Sequence, residues 1–176
     1  MKAQNKMVLG IVVALVITFA GAYILYGLCA LAISMIEVKK DIQQRQARLL
    51  CETDHQVLLE ACREISRMVA RGDLKKSQYK VRKNPDPEIS RFPQVILDLE
   101  PTYVFLDDDG RVMLEMYGGL YYYGVKAYPE DYKKPSSAEY GDKELIPGLW
   151  YYEDDYERNQ NPKKIEELIQ KGKETH

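Results

Sequence analysis

Residues 102–128 read TYVFLDDDGRVMLEMYGGLYYYGVKAY, and the spacing of apolar side chains in this stretch sets the fold class. Residues 102–106 are rich in aromatic and β-branched types, which suit a pleated, half-buried surface. Asp107-Asp108-Asp109-Gly110 supplies a turn. Val112, Leu114 and Met116 then alternate with Arg111, Met113 and Glu115, the period of two expected of a strand with one buried face. Gly118-Gly119 suits a two-residue hairpin in which both central residues need positive φ. A third strand over 120–128 places Tyr121, Tyr123 and Val125 on one face and Tyr122 and Tyr128 on the other.

Toward the carboxy terminus, a Pro-, Ser- and Gly-rich loop over 129–148 leads to a fourth strand at 149–153. Asn161 as cap, Pro162 at the first helical position, Ile165, Leu168 and Ile169 on one side, and Gly172 as a stop describe a short terminal helix. Toward the amino terminus, Pro93, Val95, Ile96 and Leu99 suggest a short helix ending before Pro101, although the Val95-Ile96-Leu97 run also suits a strand. Residues 72–93 combine Lys75, Lys76, Lys80, Arg82 and Lys83 with three prolines and predict no regular structure.

Before that loop, Thr53 and Gln56 form a capping box, with Asp54 as a competing cap. Val57, Leu58, Ala61, Cys62, Ile65 and Val69 make one apolar stripe, and Gly72 stops a helix over about residues 54–71. His55 falls on its first turn, away from the stripe, as a solvated neighbour of the cap. The stripe lasts only about two heptads, so it reads as a core contact rather than a coiled-coil seam.

Upstream, residues 7–36 contain no charged side chain. A helix of that length rises about 45 Å, more than the roughly 30 Å of bilayer hydrocarbon, so the segment reads as a transmembrane helix. It also exceeds the apolar core of an export signal, which runs about 7 to 15 residues, so the segment is read as uncleaved despite Ala30-Leu31-Ala32. Tyr23 and Tyr26 suit the membrane interface. Lys39, Lys40, Arg45 and Arg48 outnumber Lys2 and Lys6 and would hold the following domain inside. A short amino-terminal tail that stays in the cytoplasm would send it across instead. The reading leans to an extracytoplasmic head, with the side left open.

The expected organisation is α+β: a tail and transmembrane helix over 1–36, a helical juxtamembrane stalk over 37–53, a head over 54–158 built on an antiparallel β-meander, and a terminal helix and tail over 159–176. Residues 37–85 carry 12 Lys and Arg against 7 Asp and Glu, whereas residues 86–176 carry 11 against 20. An acidic head argues against nucleic acid, whose binding depends on cations neutralising phosphates. The partners expected are the lipid bilayer and a protein or glycan of the cell envelope.

Little in the chain suggests catalysis. It has one histidine besides the terminal His176, and no Gly-x-Ser-x-Gly or glycine-rich phosphate loop, so the common nucleophilic routes lack their parts. No catalytic residue, metal ligand or cofactor is expected. A hydrolase working through carboxylates such as Asp107, Asp109, Glu115 or Asp154 is the rival reading. In a calcium loop built on residues 107–110, Phe105 and Met116 would occupy ligand positions. Glu153, Asp154, Asp155 and Glu157 read as solvated carboxylates. Cys29, Cys51 and Cys62 have neither zinc nor redox spacing.

Eleven tyrosines lie between residues 103 and 156, joined by Phe105 and Trp150, so both faces of the sheet cannot be ordinary solvent-facing surface. Tyrosine combines a rigid apolar body with a polar tip and suits recognition surfaces. Tyr122, Tyr128, Trp150 and Tyr152 are therefore the candidate binding residues, in a binding or scaffolding role.

The stretch 93–106, the Gly118-Gly119 turn, and Gly141-Asp142-Lys143 leading into residues 145–152 resemble an uncharacterised bacterial domain of hypothetical proteins. The resemblance covers about residues 54–156 and implies no activity. The order of apolar helix, amphipathic continuation and β-meander is also similar to type IV pilins and pseudopilins, which would imply a structural subunit. Those proteins share a glycine cleavage site and an acidic residue a few positions into the apolar helix, whereas here the first acidic residue is Glu37.

Overall fold

A computed structural model describes residues 2–75, 77–117, 122–131, 142–153 and 162–175. The chain divides into two units, Met1–Gln43 and Gln44–His176. The described residues of the first lie within α1 (Lys2–Ala47). The helical run Gly21–Glu52 is long and apolar enough to cross a membrane, and Tyr23, Leu25, Leu28, Leu31 and Met35 are all exposed along it.

In the second unit, the end of α1 passes without a break into a π-helical turn, Arg48–Glu52, that buries Leu49, Leu50 and Cys51. A π-turn displaces the i→i+4 ladder and leaves carbonyls that need other donors. Thr53 Oγ1 donates to the Arg48 carbonyl at 2.9 Å, and His55 Nε2 donates to that of Leu49 at 3.0 Å. His55 is therefore buried, at 6% exposure, and not solvated as its polar character suggests. Thr53 is likewise not the cap of the next helix. Asp54 takes that place in α2 (His55–Ala70), its carboxylate accepting from the backbone N–H of Gln56 and Val57.

Six antiparallel strands form one sheet: β1 (Gln78–Lys80), β2 (Tyr103–Leu106), β3 (Val112–Tyr117), β4 (Tyr123–Ala127), β5 (Lys143–Ile146) and β6 (Leu149–Glu153), in the order β1-β2-β3-β4-β6-β5. The four strands anticipated from the alternation are β2, β3, β4 and β6. β1 lies in the stretch expected to be irregular, which also holds a 3-10 turn at Pro87–Arg91, and β5 lies in the expected loop. The Gly118-Gly119 turn falls outside the described residues.

One face of the sheet is core. Tyr79, Val104, Leu114, Val125 and Tyr151 stand in register across five strands and are all buried. α2 contributes Leu58, Leu59, Ala61, Cys62 and Ile65, while Val57, expected in the same stripe, is 52% exposed. Ser66 of α2 donates to the Gly110 carbonyl at 2.9 Å, and a side chain at Gly148 would touch Leu59, so the helix lies close over both turns. Burial pushes the Cys62 thiol up to about 12, so it is inert packing at neutral pH. The short helix α3 (Gln94–Asp98) adds the buried Ile96 and contacts α2.

The terminal helix α4 (Pro162–Thr175) packs on the π-turn, with Cys51 Sγ 3.3 Å from the Leu168 carbonyl and Lys143 paired to Glu166 at 2.9 Å. Gly172 does not stop this helix; it lies within it. Among the buried polar groups, Gln46 donates to the Tyr151 hydroxyl at 3.1 Å, which donates to Glu153 at 3.0 Å. Glu153 is thus buried rather than solvated, while residues 154, 155 and 157 lie outside the described residues.

Candidate binding face

The second face of the sheet carries the candidate site, and the strand register places its side chains in two rows. Tyr103, Glu115, Gly124 and Tyr152 are directly opposite one another across β2, β3, β4 and β6. Phe105, Met113, Lys126, Trp150 and Glu144 form the adjacent row across five strands. Because side chains alternate along each strand, all point away from the face that packs on α2. Tyr103, Phe105, Met113, Lys126 and Tyr152 are partly exposed.

Gly124 opens the middle of the first row. A Cβ there would lie 1.8 Å from the Leu114 carbonyl oxygen and 3.0 Å from the Tyr152 hydroxyl, so the close strand approach and the position of Tyr152 both require glycine. Tyr152 extends across this gap, its hydroxyl 3.5 Å from the Leu114 carbonyl. Lys126 Nζ stands 5.1 Å from the Tyr152 ring centroid and pairs with Asp142 at 2.7 Å. With both charged side chains largely buried, that pair sets the position of the ring more than it adds stability. On the other side of the gap, the Tyr103 and Phe105 rings tilt together with centroids 5.9 Å apart.

Glu115 is the floor between these aromatic groups. The residue is only 9% exposed, and its carboxylate makes no hydrogen bond or ion pair among the described residues, while its oxygens keep some access to water. Burial pushes its carboxyl above the ordinary glutamate value. Burial, followed by the nearby Glu115 and Asp142 carboxylates, likewise holds the Tyr152 phenol well above its usual range.

Of the four tyrosine and tryptophan positions singled out in the sequence, the register brings Trp150 and Tyr152 together on this face. Tyr122 precedes β4 and is 46% exposed. Tyr128 lies beyond the end of β4 and is 4% exposed, with the Arg111 guanidinium 5.8 Å from its ring centroid. Its ring is enclosed, which corrects the expectation of an outward-facing residue: the strand ends at Ala127, so alternation no longer governs it. Tyr103, Phe105, Met113, Glu115, Gly124 and Lys126 complete the face. The alternation at residues 111–116 already set Met113 and Glu115 apart from the core positions.

Asp107 of the acidic turn is engaged by Arg111, whose Nε donates to it at 2.8 Å. Among the described residues, no group of three or more His, Cys, Asp and Glu is placed to hold a metal ion. No protein family, curated protein or solved structure matches this chain.

Proposed function

We propose that the chain is a single-pass membrane protein whose head binds or scaffolds another protein of the cell envelope through the outer face of its sheet. The observation that carries this reading is the pair of cross-strand rows, in which partly exposed Tyr103, Phe105, Met113 and Tyr152 surround the largely enclosed Glu115. Rigid aromatic side chains around a desolvated centre are the composition of binding hot spots, where a few residues carry most of the energy. The anchor is supported by the length, composition and exposure of the apolar helix.

A photoreactive residue at position 105 tests the face in cells. The expected result is a discrete crosslinked protein that disappears when Tyr152→Ser is added; a crosslink indifferent to Tyr152→Ser removes the outer face as the binding surface. Alkaline carbonate should leave the full-length chain in the membrane fraction, and release without detergent would refute the anchor. A carboxy-terminal alkaline phosphatase fusion tests the side, activity being expected for a head outside the cytoplasm.

A further inference from the structure

We propose that Glu115 receives a basic side chain, lysine or arginine, from the protein partner, which inserts between Tyr103 and Tyr152. This inference rests on the outer face being the binding surface. A carboxylate partly withdrawn from water gains from a counter-ion, and structures ordinarily supply one. Here the nearby cation, Lys126, is already joined to Asp142 at 2.7 Å. Lys80 stands on the far side of Tyr103 in the same row, two strands and about 10 Å from Glu115. The pair of Lys126 and Asp142 is neutral, so the centre of the face keeps the negative charge of Glu115.

The surroundings select the kind of cation. Calcium or magnesium needs several oxygen ligands, and Glu115 has aromatic rings and a thioether about it where those would stand. An ammonium or guanidinium group needs one carboxylate and gains from nearby aromatic rings, and Tyr103 and Tyr152 stand on either side of Glu115 in its row. The Tyr152 hydroxyl occupies the space above Gly124, so the place left for a cation is over Glu115 itself, and partly exposed Tyr103 and Tyr152 form a rim that excludes water from the pair once it forms.

The test uses the full chain in detergent micelles with two probes, N-acetyl-arginine methylamide and its uncharged isostere N-acetyl-citrulline methylamide. The Met113 methyl and the Tyr152 ring are followed by NMR. The arginine probe should shift both signals saturably and the citrulline probe should not. Glu115→Gln should weaken the arginine probe about tenfold or more, as expected when one member of a desolvated charge pair is removed. Equal responses to the two probes overturn the proposal without recourse to any variant. So does a Glu115→Gln chain that melts no lower than wild type and binds the arginine probe unchanged. In the crosslinking experiment, a product lost with Tyr152→Ser but kept with Glu115→Gln refutes the basic side chain and leaves the binding face standing.

Discussion

Gly172 of α4 stands directly against the carbonyl of Leu50 in the π-turn: a Cβ at residue 172 would lie 2.0 Å from that oxygen and 3.1 Å from its carbon. Both obstacles are backbone atoms, which cannot swing away as a flexible side chain can. Gly172→Ala must therefore lift α4 from the turn, at a cost of about 1–3 kcal/mol, the range for overpacking a fitted contact. The expected readouts are a lower Tm and, in a Cys29→Ser background, faster alkylation of Cys51, whose thiol rests on the Leu168 carbonyl. An unchanged Tm would show that the helix does not hold the turn.

Tyr151 joins the end of α1 to the sheet through its hydroxyl, between Gln46 at 3.1 Å and Glu153 at 3.0 Å. Tyr151→Phe keeps the ring in the core but deprives two buried polar groups of a bond each. A loss of about 1–3 kcal/mol is expected, the cost of leaving buried polar groups short of a partner. Denaturant unfolding measures it, and a midpoint equal to wild type would mean that water replaces the hydroxyl.

The same contacts explain what the sequence conceals. β2, β3, β4 and β6 are legible because alternation and turn residues agree, as at Asp107 to Gly110, where Gly110 takes φ +79°. β1 shows only Tyr79 to the core and β5 only Leu145, and one buried residue cannot display a period of two. β1 is also sealed at its outer edge by Asp86, whose carboxylate accepts from the Lys80 N–H while its own N–H donates to the Lys80 carbonyl. Such edge protection is a tertiary contact that no local pattern reveals. Gly172 reads as a helix stop because a glycine needed for close approach looks the same in sequence as one needed for positive φ. His55 and Thr53 read as a solvated residue and a cap because the demand they meet arises from carbonyls freed by the π-turn. On the candidate face, residues 113 and 115 are legible as outward-facing. Their neighbours Gly124 and Tyr152 are fixed by cross-strand register, which bulges between Glu115 and Tyr117 and cannot be counted from either strand alone.

Tyr122 and Tyr128 differ only in what covers them, and truncation separates them. Tyr128→Ser removes a ring that is 4% exposed and should cost on the order of 3–5 kcal/mol. Tyr122→Ser removes one that is 46% exposed and should stay within about 0.5 kcal/mol of wild type. Thermal unfolding of the two variants side by side is the measurement. Equal losses would contradict the end of β4 at Ala127.

The buried Glu115 makes a pH-dependent prediction whose sign follows from its raised carboxyl. Below the unfolded-state value of about 4.3, Glu115 is protonated in both states and adds no penalty. As pH rises from there through the higher folded-state value, the native chain holds a proton that the unfolded chain has released, so stability falls, and the penalty is complete above that value. Glu115→Gln lacks this titration while keeping the shape of the side chain. The variant should therefore melt close to wild type at pH 4 and higher than wild type at pH 8, with no partner or probe present. Tyr103, Tyr152, Lys80, Lys126, Asp142 and Glu144, the other titratable groups on this face, remain in both chains, so differences between the two curves belong to residue 115. A Tm difference that is the same at both pH values would show that Glu115 is solvated as fully when folded as when unfolded. That result would also remove the desolvated carboxylate on which recognition of a basic side chain depends.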